Sequence, residues 1–243
     1  MNLGRRQFAA GACAGMGLLG AGRMLKGLAP VDRRKPESRV ALIEADSYDD
    51  SLAERLFPYI QRFTPGVRGR SVLIKPNLVE DLPGPVNTHP ALITAAAHCF
   101  LAMGSRQVTV GEGPGHQRDS EAILISTGLG SALDAIGVPF IDLNRDALSR
   151  TPLKTAFSGL DHLWLPQTVL AADLVVSMPK VKTHHWAGAT LALKNLFGVV
   201  PGAKYGWPKN ILHWHGIDRS IVDIAATVPI HLVIADGIVA IGG

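Results

Sequence analysis

Short runs of consecutive apolar residues recur along the chain, separated by longer stretches in which apolar positions return every three or four residues. The runs are VALIEA (40–45), SVLIK (71–75), QVTVG (107–111), VPFID (138–142), DLVVSM (173–178) and HLVIAD (231–236). They are β-branched and apolar on both faces, the pattern of strands buried in a parallel sheet. Helical spacing predicts helices over 49–63, 90–103, 119–136 and 216–227, with Pro90 at a first-turn position that suits its missing N–H. Strand and helix alternate, so the expected fold is α/β, a mostly parallel, Rossmann-like sheet with helices on both faces. The last run leads to ADGIVAIGG with no covering helix after it, and the domain is therefore expected to be cut short at its C-terminus.

Composition refines this picture at the N-terminus. An apolar share of 47% and a charged share of 18% describe a globular chain without disorder or repeats. The formal net charge is +4, but seven of the 24 basic residues and one of the 20 acidic ones lie in residues 1–36. That leaves 17 basic and 19 acidic residues in 37–243, near −2, which excludes a basic nucleic-acid-binding body. Arg5 and Arg6, then Phe8, then an Ala/Gly-rich run to Gly22 have the form of a twin-arginine export signal. At about 15 residues the run is shorter than the roughly 20 that span a bilayer. An ordinary amphipathic first helix is the alternative, and the run is too uniformly apolar for it. The expected organisation is a signal over 1–30, a polar linker over 31–39 and one α/β domain over 40–243. The twin-arginine translocation machinery is then a partner, and the location is periplasmic or extracytoplasmic. Contact with the membrane is made only through the N-terminal signal, as an anchor if it is uncleaved. Beyond the leader Cys99 is the one cysteine, so neither a disulfide nor a cysteine-ligated iron–sulfur cluster can be built within the body.

Ligands of open α/β sheets sit beyond the carboxyl ends of the strands, and the polar residues at those positions are concentrated here. The run 71–75 ends in Lys75-Pro76-Asn77, with Thr88-His89-Pro90 after it. The run 107–111 leads into GEGPGHQRD, with Glu112 and His116; the run 173–178 leads into Lys180, Lys182 and His184; the last leads into Asp236. Taken singly, each has a plain reading: a solvated strand end, a tight turn, a loop histidine. GEGPG lacks the third glycine of a dinucleotide fingerprint. Taken together they predict a Lys/His site at one rim of the sheet for a small anionic ligand. Lys194 falls in the apolar run AGATLALKNLFGVV, where a lysine needs an anionic partner, a lowered pKa or a covalent bond. On a helix over 187–198 it would share a face with Leu191.

Five segments in order, LIKPNLV, VNTHPALI, VGEGPG, DLVVSMPKVKTHHWAGATLALKNLFGVVPG and HLVIADGIVA, resemble the domain-of-unknown-function family 362 (DUF362) across roughly residues 40–243. A more distant resemblance is to lactate racemase and its relatives, which hold a nickel pincer nucleotide through an H-x-x-A-G-x-x-x-x-x-K pattern followed by P-G. His184, Ala187-Gly188, Lys194 and Pro201-Gly202 match that pattern, while TLAL replaces the family's small residues before the lysine. The resemblance implies that Lys194 tethers the cofactor, His213 binds nickel, and His116 and His184 exchange protons with a small 2-hydroxy acid. Lys75, Lys180 and Lys182 would hold its carboxylate or a cofactor phosphate. A non-catalytic phosphate- or carboxylate-binding protein is the second reading. An iron–sulfur electron-transfer component would need cysteines from a missing C-terminal segment. Hydrolase chemistry on a bound metal lacks the H-E-x-x-H spacing.

Overall fold

The structure, a computed structural model, describes residues 38–82, 84–115, 117–207 and 209–242. The expected export signal over 1–30 and His116 lie outside the described residues. The chain divides into two compact units, Met1–Val40 and Ala41–Gly243, and the fold below is that of the second.

In chain order the strands are β1 (Ser71–Pro76), β2 (Gln107–Glu112), β3 (Phe140–Asp142), β4 (Leu148–Pro152), β5 (His162–Pro166), β6 (Leu174–Met178), β7 (Lys180–His184), β8 (Gly188–Thr190), β9 (Leu232–Val233) and β10 (Asp236–Ile241). Five of them form the central sheet in the order β3-β2-β1-β6-β9, every pair parallel. Alternate residues of β1 separate two cores. Val72 and Ile74 pack with the helices Leu52–Phe63 and Pro90–Ala102, whereas Leu73 packs with Leu196, Val199, Leu212 and Ile224 on the opposite face. That period of two is the pleat of the strand, and it is why these runs are apolar on both sides. The α/β architecture with helices on both faces is as the alternation predicted.

The helices start and stop for local reasons. The His89 Nδ1 accepts from Ala91 N at 3.2 Å and caps Pro90–Ala102, and Asp119 caps Ser120–Thr127 through Glu121 N at 2.8 Å. The single helix expected over 119–136 is broken at Gly128, whose φ of 72° is left-handed, and resumes as Leu129–Asp134.

Three expectations fail. Residues 40–45 pair with no strand among the described residues, and Val40 and Leu42 are 79% and 93% exposed; an apolar run becomes a strand only where a sheet edge supplies hydrogen bonds. The last run splits: β9 is two residues long, and β10 leaves the central sheet to pair with β7 in a three-stranded sheet β10-β7-β8. Finally, residues 187–198 are not one helix. Gly188–Thr190 forms β8, antiparallel to β7, and only Ala192–Asn195 is α-helical before a 3₁₀ turn over Leu196–Val199. Leu191 is therefore an extended cap residue rather than a helical neighbour of Lys194. Among the described residues no helix is long and apolar enough to cross a membrane.

Candidate functional site

At the carboxyl end of β1, Lys75 has no exposed surface, and its ammonium pairs with Glu112 Oε2 at 2.6 Å. It also donates to Pro76 O at 2.5 Å and Asn195 Oδ1 at 3.3 Å. The carboxylate of Glu112, at the end of β2, further accepts from Leu78 N at 3.0 Å and Gly113 N at 2.9 Å. Burial pushes the Lys75 amine below its ordinary pKa against the opposing charge of Glu112. Gly113 N donates to Gly198 O at 3.0 Å, and a Cβ on Gly113 would stand 2.6 Å from that oxygen. The central glycine of GEGPG thus admits close backbone approach to the 3₁₀ turn. Lys209 completes this layer. It is buried, its φ of 71° is left-handed, and its amine donates to Phe197 O at 2.5 Å and Gly113 O at 3.1 Å. Burial holds it down at about 7.

A second network ties β7 and β10 to Tyr48 and His89. Lys180 and Asp236 are 1% and 0% exposed and 3.0 Å apart. Lys180 donates to Tyr48 OH at 2.7 Å, and that hydroxyl donates to Asp236 Oδ1 at 2.6 Å. His89 N donates to Asp236 Oδ2 at 2.9 Å, and the Tyr48 and His89 rings stack at 3.7 Å. Burial and then the Asp236 bond push the Tyr48 hydroxyl well above its ordinary range, while burial lowers His89. Every charge in this network has a partner, so it is a clasp between the segment before helix Leu52–Phe63 and the sheet.

Outside the two closed networks lies a different surface. Lys182 is half-buried and donates to Val86 O at 2.8 Å; burial pushes it down to about 8, against the pull of Glu112. Lys194 is half-buried with its amine 4.4 Å above the Phe197 ring. Burial, then the charges of Lys75 and Lys182, hold it at about 8. Rings run alongside: His184 stacks on His185 at 4.9 Å, His185 meets Trp186 at 4.7 Å, Trp186 meets His213 at 4.7 Å, and His213 meets Phe197 at 5.6 Å. Phe197 thus touches both Lys194 and His213. The His213 Nδ1 faces Lys209 O at 3.1 Å and must donate to it, which puts the lone pair of the neutral ring on Nε2. His184 has the other tautomer: its Nδ1 accepts from Trp186 N at 3.1 Å and Ala187 N at 3.2 Å, so Nε2 carries the proton. Burial, then Lys194, push it to about 4, and it is neutral at physiological pH.

The predicted residues therefore divide. Lys75 and Lys180 are consumed by buried ion pairs; Lys182, His184, Lys194 and His213 stand on one connected surface. Lys209, Tyr48 and Gly198 escaped sequence reasoning. Lys209 follows Trp207-Pro208 with no periodicity, and a left-handed φ at a lysine leaves no trace in composition. The recurrence of lysines around one carboxylate was the available signal, and it needs the fold to be seen. Among the described residues no three His, Cys, Asp or Glu side chains converge as a metal group.

Compared with known proteins, residues 72–243 match the family model described as "Domain of unknown function (DUF362)". A thylakoid-associated protein of Synechocystis sp. is 29% identical over 182 residues, covering 71% of this chain and 53% of its own length. A crystal structure of a Thermotoga maritima protein superposes with a TM-score of 0.49 at 16% identity, over 78% of this chain and 46% of its own. The chain spans about half the length of these relatives.

Proposed function

This chain belongs to the DUF362 family, and from that premise we propose that it binds a small phosphate- or carboxylate-bearing anion at the rim surface of Lys182, Lys194 and His184. One observation carries the reading. Lys75 and Lys180 each hold a carboxylate, whereas among the described residues no carboxylate lies within ion-pair distance of Lys182 or Lys194. Partial desolvation lowers both amines, Lys182 adds to the charges that lower Lys194, and an anion received by the two relieves these effects. His184 adds a neutral Nε2–H donor to the same surface.

Sulfate, whose charge is constant over the range, is the suitable probe. Both amines are protonated below about 8 and lose their charge above it. Sulfate affinity is expected to be highest near neutral pH and to fall by about tenfold or more for each pH unit above the lysine pKa values. It is also expected to weaken with ionic strength. Isothermal titration at rising pH checks this, and pH-independent binding would remove Lys182 and Lys194 from the site.

A second reading, cofactor-dependent chemistry of the lactate racemase type on a small carboxylate, is favoured by the placement of Lys194 and His213 on the same Phe197 ring. The donor types suit a nickel pincer nucleotide: among the described residues Lys194 has no hydrogen-bond acceptor of its own, and the His213 ring is oriented by its Nδ1 against the carbonyl of Lys209. Leu191 and Leu193, the bulky residues before the lysine, are 48% and 51% exposed and stand clear of the packed core. The bound group would supply the hydride chemistry; Lys194 would tether it and Lys182 would hold the substrate carboxylate. The expected result is a nucleotide-sized mass adduct with nickel in protein from its native host, absent from Lys194→Ala. Unmodified mass without nickel leaves the anion-binding reading.

A further inference from the structure

Five lysines surround the ends of β1, β2 and β7, and four of them donate to an oxygen of the protein. Lys75 holds Glu112, Lys180 holds Asp236, Lys182 donates to Val86 O, and Lys209 donates to Phe197 O and Gly113 O. Among the described residues Lys194 has neither a carboxylate nor a carbonyl acceptor; its amine rests on the face of Phe197, half-buried, beside the charges of Lys75 and Lys182. An amine so placed is chemically available: no strong acceptor holds its proton, and neighbouring cations disfavour the ammonium form.

We infer that Lys194 is a covalent capture site for a small 2-oxo acid, held as an imine. The inference rests on the anion-binding reading, since the carboxylate of the 2-oxo acid would be the anion that Lys182 receives. The Lys194 nitrogen forms a bond to the keto carbon, and one of its protons passes to the keto oxygen to give a carbinolamine. That hydroxyl takes a proton from solvent and leaves as water, giving a protonated imine and consuming no oxidant or reductant. The protonated imine keeps the positive charge that stood over Phe197, so the cation–ring contact survives the reaction. The His184 Nε2–H is a donor available to the carboxylate or the departing oxygen. The lowered pKa of Lys194, about 8, supports the same step by supplying free amine near neutral pH.

Borohydride trapping tests it. The protein, first confirmed by intact mass to carry no adduct, is incubated with pyruvate and sodium borohydride near pH 8, and modified peptides are mapped. One carboxyethyl group on Lys194 is expected. Labelling should be at least about tenfold faster than with acetone, which lacks the carboxylate that a fixed cation concentrates. Lys194→Arg keeps the charge and should abolish the adduct. Lys204→Ala is the control, because Lys204 also stands over a ring, Trp164 at 4.8 Å, but is exposed; it should label like wild type. Labelling spread over surface lysines, or equal rates with acetone, would overturn the proposal. Sulfate binding without any pyruvate adduct would overturn it while leaving the anion site intact. Mapping on the wild-type protein keeps the outcome decisive should a variant fold poorly.

Discussion

Replacing Gly198 by alanine is expected to cost about 3–5 kcal/mol of folding stability, the penalty of breaking a buried ion pair. The added methyl carbon would overlap Glu112 Oε1 and stand 2.5 Å from Lys75 Cε and Nζ. Gly198 has no left-handed φ, so the backbone itself would accept alanine and the whole effect would report the collision. Neither partner can yield cheaply, because Glu112 is fixed by Lys75, Leu78 N and Gly113 N. Gly115 provides the comparison. It too has no positive φ, but a Cβ there meets nothing within 4 Å. Gly115→Ala should stay within about 0.5 kcal/mol of wild type. Urea unfolding of both variants checks the pair, and equal stabilities would mean that the 3₁₀ turn does not press on the ion pair.

Removing one member of that pair should have an effect of similar size. Glu112→Gln leaves the Lys75 ammonium buried opposite a neutral amide, and a loss of about 3–5 kcal/mol is expected. Lys75→Met should cost less, since the Glu112 carboxylate keeps two backbone donors. The double change Lys75→Met with Glu112→Gln should fall well short of the sum, because no buried charge is left without its counterpart. Chemical denaturation of the three variants gives the coupling directly. Strict additivity would contradict the geometry, in which the two groups are 2.6 Å apart with 0% and 2% of their side chains exposed.

The two experiments concern the foundation of the site rather than its working surface, and that division explains what could be anticipated. Lys75, Glu112, Lys180 and Asp236 all stood out as polar residues at strand ends, and all four meet there. Their pairing did not stand out, because Lys75 and Glu112 are 37 positions apart and Lys180 and Asp236 are brought together by β10 leaving the central sheet. The segment KVKTHHWAGATLALKN misled in form: its apolar residues favoured a helix, while Gly188, with a φ of 69°, lets the chain fold back as a β7–β8 hairpin. Lys194 was expected to be anomalous because a lysine in an apolar run must find a partner, change its pKa or react. The partner it found, the face of Phe197 three residues on, could not be told from the core leucines beside it.

What the sequence determined by itself is the layered plan. The apolar runs at 71–75, 107–111 and 173–178 read as central parallel strands, and the helical periods between them then cover two faces, because both sides of each strand need an apolar neighbour. It also determined that cations gather at the carboxyl rim, since strand ends are read directly from the runs. Only the tertiary structure decided which cations are spent. An ion pair depends on a distance of a few ångströms between residues far apart in the chain, and burial sets whether a charge is solvated or must be matched. Those two quantities separate Lys75 and Lys180, each of which holds a buried carboxylate, from Lys182 and Lys194, which have no carboxylate within ion-pair distance among the described residues.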